Sequence, residues 1–221
     1  MGPRRGHRRA RRRERGLGPD PAPLRACGQP GLSEGIELDQ PGAGQRGAVV
    51  FLTGLSGAGK STIAAALAER LRTAEPGRAV TILDGDELRR RGSADLGFDA
   101  ASRAIQVERA ARIAADLAAH GEIVLSALIA PFTAARARAR ELIEPAAPFL
   151  LVWVRVPLAV AEARDVKGLY ARARRGEIDD FTGISSPYEE PGDADLVIDT
   201  NAVTVDAAVD AILGSLEALL A

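Results

Sequence analysis

The sequence predicts an α/β fold with a doubly wound, mostly parallel sheet of five strands. Five short runs are almost continuously apolar, which is typical of parallel strands that helices cover on both faces. Longer stretches between them resemble helices. Alternation of strand and helix implies right-handed crossovers between parallel strands. Ligands of such sheets bind beyond the carboxyl ends of the strands.

The elements follow one another from Ala48 to the end of the chain without an internal repeat. The last helix-like segment has apolar residues at helical spacing, which indicates a helix that covers the core. The predicted strands are AVVFLT (48–53), AVTILD (79–84), EIVLSAL (122–128), FLLVWVRV (149–156) and DLVID (195–199). The predicted helices are 60–74, about 100–119, 133–143, 157–163 and 203–220.

Charge is distributed unevenly along the 221 residues, whose net charge is −1. The stretch RRGHRRARRRERG near the start has eight arginines and one glutamate, or +7, so the remainder carries −1 − 7 = −8. An acidic body argues against a broad nucleic-acid-binding face. We predict a disordered Arg/Gly/Pro-rich tail over 1–46 and one folded domain over 47–221. A partner-binding or nucleic-acid-binding arm is the alternative for the tail.

The single cysteine, Cys27, rules out an intrachain disulfide and fits a reducing, cytoplasmic location. No apolar run approaches the roughly 20 residues that a membrane-spanning helix needs. We therefore expect no membrane association.

The segment GLSGAGKST (54–62) fits the pattern GxxxxGK[ST] between a predicted strand and a predicted helix. Its glycines permit close backbone approach, and its amide groups can surround phosphate oxygens. Lys60 would reach the β- and γ-phosphates, and Ser61 would bind Mg²⁺. The motif predicts a P-loop NTPase of the nucleoside-kinase-like type. The predicted ATP-binding residues here are Gly54, Leu55, Ser56, Gly57, Ala58, Gly59, Lys60, Ser61 and Thr62.

The segment LDGDELR (83–89) ends the second predicted strand with two carboxylates. If the chain stays extended, Asp84 and Asp86 face the same side, where they could orient Mg²⁺ and accept a proton. Asp86 could instead cap a following helix. Arg89 could hold an anionic acceptor, and Phe98 and Arg103 further on could stack on a base and bind an anion.

The chain has only two lysines, Lys60 and Lys167, among 29 basic residues. Lys167 lies in a segment of about 164–191 that mixes charges, Gly and Pro with isolated aromatic residues. Such a composition is typical of a mobile lid that excludes water from a phosphate donor. Lys167 would bring a second point charge to an anionic substrate.

Together these motifs resemble the adenylylsulfate kinase (APS kinase) family. The matching segments are GLSGAGKST, LDGD-x-x-R, DLGF-x-x-x-x-R, ARD-x-KGLY-x-x-AR-x-GEI and FTGI-x-S-x-YE-x-P, in family order and spacing. The resemblance implies transfer of the γ-phosphate of MgATP to the 3′-hydroxyl of adenosine 5′-phosphosulfate (APS), giving PAPS and ADP for sulfate assimilation. It also implies a homodimer and a functional link to sulfate adenylyltransferase.

The resemblance assigns roles to individual residues. Lys60, Asp84, Asp86 and Lys167 would be catalytic, with Asp84 as the base on the 3′-hydroxyl. Arg164 would pack on the ATP adenine. The implied substrate-binding residues are Asp84, Arg89, Phe98, Arg103, Gln106, Ile129, Ala130, Lys167 and Phe181.

The chain departs from the family pattern at several positions, including the segment RRGS (90–93) after DGDELR. Gln106 stands where the family has Asn, Glu108 where it has Arg, and Ala130 where it has Ser. A carboxylate near an anion site would weaken acceptor binding if Glu108 were buried and would matter little if it faced solvent. These departures leave two alternatives: a diverged P-loop kinase for another small anionic alcohol, and a catalytically weak nucleotide-binding subunit of a sulfate-activating assembly.

Overall fold

Five parallel strands form one sheet in the order β2-β3-β1-β4-β5. The computed structural model describes Gly2, residues 45–92 and residues 95–221. The predicted tail over 1–46 lies almost wholly outside these residues. The strands are β1 (Ala48–Thr53), β2 (Val80–Asp84), β3 (Ile123–Ala127), β4 (Phe149–Arg155) and β5 (Leu196–Asp199). The predicted doubly wound α/β sheet is confirmed, and the strands differ from the prediction only at terminal residues.

Seven helices lie among the described residues. They are α1 (Lys60–Ala74), α2 (Gly85–Gly92), α3 (Ala100–Ala119), α4 (Thr133–Ile143), α5 (Leu158–Arg164), α6 (Leu169–Arg174) and α7 (Val205–Leu220). The sequence did not delimit α2 or α6 as helices. Both are too short and too highly charged to show an apolar helical period.

The two faces of the sheet bury separate apolar clusters. Along β1, Val50 and Leu52 pack with the cluster that includes α1 and α7. Val49 and Phe51 point the other way and pack with the cluster of α3 and α4. This period-two alternation explains why β1 is fully buried, since helices cover both of its faces.

The position of β1 at the centre of the sheet creates the site. The chain places β3 on one side of β1 and β4 on the other, so the strand order reverses direction there. Loops that leave adjacent strands at such a point diverge to opposite faces and open a crevice at the carboxyl edge. In the described part of the chain, none of the helices combines the length and apolar character needed to cross a membrane.

Candidate active site

The loop between β1 and α1 is held in a conformation that requires glycine. Gly57 and Gly59 have φ values of 73° and 100°, which side chains rarely adopt. At Gly54 a Cβ would lie 2.3 Å from the carbonyl oxygen of Val154 on β4. The loop therefore packs directly on the neighbouring strand and turns into α1 at Lys60.

The side chain of Lys60, the first residue of α1, reaches into this loop. Its Nζ donates hydrogen bonds to the carbonyl oxygens of Gly54 (2.9 Å) and Leu55 (2.8 Å). Burial lowers the pKa of Lys60 to about 8, although Asp86 and Asp84 oppose the shift. The loop thus holds a buried ammonium group whose proton is unusually easy to remove.

Asp84, at the end of β2, contacts the start of α1. Ser61 Oγ donates to Asp84 Oδ2 at 2.6 Å, and the amides of Asp86 and Glu87 donate to Asp84 Oδ1 at 2.9 and 3.4 Å. Partial burial raises the pKa of Asp84, but these hydrogen bonds and Lys167 outweigh it and leave the pKa below its ordinary value. Asp84 is therefore ionised at neutral pH.

Two details of the sequence interpretation of this segment are wrong. The chain does not stay extended after Asp84, because α2 begins at Gly85. Asp84, rather than Asp86, accepts the first amide groups of that helix. Asp86 is consequently free to form an ion pair with Lys167, which precedes α6.

Arg89, Phe98 and Arg103 form an aromatic and cationic group at one end of the site. The guanidinium carbons of Arg89 and Arg103 lie 4.4 and 5.9 Å from the ring centroid of Phe98. Arg103 Nε donates to Phe98 O at 2.6 Å, and its Nη2 donates to Asp180 O at 2.5 Å. The Phe98 ring remains 53% exposed and is available to a ligand.

One cavity of about 780 Å³ connects these groups. Four residues of the sequence assignment, Gly54, Leu55, Gln106 and Ala130, do not line it. Gln106 instead donates to the carbonyl of Gly85 at 2.8 Å. The assigned residues that line the cavity are Ser56, Gly57, Ala58, Gly59, Lys60, Ser61, Thr62, Asp84, Asp86, Arg89, Phe98, Arg103, Ile129, Arg164, Lys167 and Phe181.

The end of the cavity beyond the glycine-rich loop includes residues that the sequence interpretation missed. Val203, Val205 and Ala208 provide an apolar wall after β5. Arg164 is held nearby, with hydrogen bonds to Thr200 O (2.8 Å) and Thr200 Oγ1 (3.1 Å). The only feature of the sequence that could have indicated Val203, Val205 and Ala208 is their position after the carboxyl end of the last predicted strand.

Tyr170 was also missed, although it lies in the predicted lid. Its hydroxyl donates to Ser56 O at 2.9 Å, and its ring meets Phe181 edge-on with centroids 4.9 Å apart. Tyr170 and Phe181 are both buried. Part of the 164–191 segment is therefore packed against the glycine-rich loop.

Glu108 points away from the cavity. Its carboxylate accepts a 2.6 Å hydrogen bond from Arg112, one turn along α3, and its side chain is 38% exposed. Glu108 does not line the cavity. The charge difference at this position therefore faces solvent.

The oxygen atoms of Ser61 and Asp84 fit a Mg²⁺ ion bound together with a nucleotide. Mg²⁺ prefers oxygen ligands and is usually held by one or two protein groups, substrate phosphates and water. Within the described ranges no cluster of three or more His, Cys, Asp or Glu residues could hold a metal. A Mg²⁺ ion held by Ser61 and Asp84 would take its remaining ligands from phosphate and water.

Comparisons with known proteins agree with this geometry. A profile of the family described as adenylylsulphate kinase matches residues 46–199. An adenylyl-sulfate kinase of Paraburkholderia xenovorans is 52% identical over 171 residues, which are 77% of this chain and 93% of the relative.

Two other relatives extend the comparison. The Mycobacterium tuberculosis APS kinase, solved in complex with AMPPNP and APS, is 42% identical with a TM-score of 0.74, over 78% of this chain and 99% of that one. A sulfate adenylyltransferase of Coccidioides immitis is 43% identical, over 82% of this chain but 32% of that protein. The profile match, the identities and the shared fold together show that this chain belongs to the adenylylsulphate kinase family and is a kinase.

Proposed function

We propose that this protein transfers the γ-phosphate of MgATP to the 3′-hydroxyl of APS and releases PAPS and ADP. One observation carries the proposal: a single cavity joins the phosphate-binding loop, Asp84 and the Arg89–Phe98–Arg103 group. A donor phosphate at the loop and an acceptor at the aromatic group would meet at Asp84.

The loop binds the donor. Its amide groups and the start of α1 receive the phosphates, and the ammonium of Lys60 neutralises charge between them. Val203, Val205 and Ala208 provide an apolar surface for the donor adenine, and Arg164 stacks on that base. These contacts fix the γ-phosphate at the centre of the cavity.

The acceptor binds at the other end. Phe98 and Phe181 enclose its adenine, and Arg89 and Arg103 pair with the phosphosulfate. Asp84 then accepts the proton of the 3′-hydroxyl as its oxygen attacks the γ-phosphorus and ADP leaves in line. Lys167 neutralises charge between donor and acceptor once it exchanges Asp86 for the phosphates.

Ser61 and Asp84 would hold Mg²⁺ on the donor phosphates. When bound, the ion neutralises phosphate charge and orients the transferred group. Before the substrates bind, the second carboxylate, Asp86, is paired with Lys167.

Assembly is a separate part of the proposal. We propose a homodimer from the family resemblance. The sulfate adenylyltransferase relative, of which this chain matches about a third, supports a functional link to that activity. A kinase for another anionic alcohol and a weakly active subunit are not favoured, since the matched relatives are adenylyl-sulfate kinases and the assigned catalytic groups line one cavity.

The test measures ADP release by the purified protein with MgATP, with and without APS, while PAPS is quantified. We expect APS-dependent ADP release with equimolar PAPS. Lys60→Met provides the inactive control, because it removes the buried ammonium and keeps the apolar stem. ATP binding without APS-dependent turnover would overturn the proposal and redirect the search to other acceptor alcohols.

A further inference from the structure

The loop after β3, residues 129–131, contributes Ile129 to the wall of the cavity and has a strained backbone at the next residue. Ala130 has a φ of 42°, a left-handed conformation that costs a residue with a side chain about 1–2 kcal/mol. Ile129, the preceding residue, lines the cavity, and the family resemblance assigns it to acceptor binding. Strained backbone beside a site persists only where the surrounding structure fixes it.

A buried arginine fixes this loop. Arg136, on the first turn of α4, is 1% exposed and is among the largest fully buried side chains described. Its Nη1 donates to the carbonyl of the strained Ala130 at 2.9 Å, and its Nη2 donates to Thr133 Oγ1 at 3.0 Å. Both of these bonds go to a carbonyl and a hydroxyl, and neither goes to a carboxylate.

The arrangement is costly in another way. Burial lowers the pKa of Arg136, against the opposing effects of Tyr188, Asp193 and Glu189. Its Nε is buried without a hydrogen-bond partner in the described structure. An unsatisfied buried donor costs about 1–3 kcal/mol. Two unfavourable features thus converge on one loop, although an apolar residue would fill the same space more cheaply.

Other elements hold the loop at its two ends. Thr53 Oγ1, at the end of β1, donates to Ile129 O at 2.7 Å and lies 3.1 Å from Tyr188 Oη. The amide of Glu189 donates to Pro131 O at 2.8 Å, and its carboxylate accepts from the amide of Thr133 at 2.6 Å. Arg136 also lies under the Tyr188 ring, 5.9 Å from its centroid.

We propose that Arg136 is a positioning residue that holds Ile129 against the acceptor by clamping the strained carbonyl of Ala130. Arg136 does not line the cavity and acts only through the loop. The inference rests on the proposed function, since it assigns the acceptor to the Ile129 side of the cavity. Among the described residues Arg136 forms no hydrogen bond with the donor loop, and the link is indirect, since the Gly54 amide donates to Ile129 O at 3.4 Å. Donor binding should therefore respond less to Arg136 than acceptor binding does.

The experiment compares Arg136→Met and Arg136→Lys with the unaltered protein in steady-state kinetics with APS and ATP. We expect Arg136→Met to raise KM for APS roughly tenfold, the effect of losing one charge-assisted hydrogen bond. KM for ATP should change less than about twofold. KM for APS in Arg136→Lys should lie between the values for Arg136→Met and the unaltered protein, because lysine keeps the charge but lacks the planar fork of arginine.

Ala130→Gly tests the mechanism by removing the strain. Glycine adopts a positive φ without cost, so the clamp becomes less necessary. The rise in KM for APS that Arg136→Met causes should therefore be smaller in the Ala130→Gly protein than in the unaltered protein. A full, additive loss in both backgrounds would contradict the clamp.

Arg78→Met is the matched control. Arg78 is 8% exposed, precedes β2 at the opposite edge of the sheet, and donates to a backbone carbonyl, that of Arg46. Its loss should lower thermal stability without changing KM for APS. An equal rise in both KM values after Arg136→Met, or the same rise after Arg78→Met, would overturn the inference. Absence of APS turnover in the unaltered protein would instead refute the proposed function.

Discussion

Ser61 and Asp84 are 23 residues apart in sequence and share a 2.6 Å hydrogen bond. Ser61 follows Lys60, just after the loop that leaves β1. Asp84 ends β2, which β3 separates from β1 in the sheet. The parallel arrangement brings both to one edge. This contact places the proposed proton acceptor beside the proposed donor phosphates.

Asp84→Asn should abolish most of the activity while leaving the fold intact. Asparagine keeps an oxygen for the amides of Asp86 and Glu87, so the start of α2 remains capped. Asparagine cannot take up the proton of the 3′-hydroxyl, so we expect kcat to fall by at least about a hundredfold. Steady-state kinetics with a thermal melt measure both effects. Asp84→Ala is the comparison, because it should also lower stability by about 1 kcal/mol. Near-normal kcat in Asp84→Asn would exclude Asp84 as the base.

Lys167→Met should reduce activity without reducing stability. The Lys167–Asp86 pair is largely exposed, with side chains 58% and 64% accessible. Such pairs contribute less than about 1 kcal/mol to folding. If Lys167 stabilises charge during transfer, kcat/KM should fall by about a hundredfold at an unchanged melting temperature.

Lys167→Arg tests why position 167 is a lysine, since every other lysine or arginine position of the chain except Lys60 is an arginine. It retains the pair with Asp86 but places a planar fork where a point charge is expected, so it should restore only part of the activity. Full activity in Lys167→Arg would show that any cation suffices. A lower melting temperature that accompanies the loss of activity would indicate a structural role for Lys167 instead.

ATP affinity should fall as pH rises through about 8. Burial lowers the pKa of Lys60 to about 8, so its charge is present below this pH and lost above it. We expect the Kd for ATP to rise by up to about tenfold for each pH unit above the pKa of Lys60. Isothermal titration between pH 7 and 9 measures it, and Lys60→Met should abolish the pH dependence. A flat profile in the unaltered protein would contradict the buried ammonium.

The folding stability should respond to pH in the opposite direction. Between about 8 and the ordinary value of 10.5, the unfolded chain binds the Lys60 proton more tightly than the folded chain. The free energy of unfolding should therefore rise with pH over this interval, relative to Lys60→Met. Binding and stability that fell together would point to general unfolding in place of Lys60 deprotonation.

Glu108→Arg should leave acceptor binding unchanged. Glu108 pairs with Arg112 on the solvent side of α3 and does not line the cavity. Because solvent and salt screen a charge there, we expect KM for APS to stay within about twofold. Gln106→Ala is the contrasting variant, since it removes the bond to Gly85 O beside Asp86 and should raise that KM. A large gain of affinity in Glu108→Arg would place position 108 at the anion site.

The sheet, the phosphate-binding loop and most of the residues that line the cavity could be predicted from the amino-acid sequence. Apolar runs mark parallel strands because helices cover both faces, and GLSGAGKST allows few backbone conformations. Local patterns of this kind are set by neighbouring residues, so they can be read along the chain. Lys60 and Ser61 were identified in this way.

The set of side chains that face the cavity became clear from the packing of the elements. Gln106 and Ala130 point elsewhere, while Val203, Val205 and Ala208 line it without a distinctive motif. The bond between Tyr170 and Ser56 O joins residues 114 apart. The contact of Arg136 with Ala130 depends on how α4 packs against the sheet, and no hydrophobic period or sequence motif predicts it. Such contacts depend on the placement of whole elements, which the short-range pattern of the sequence leaves open.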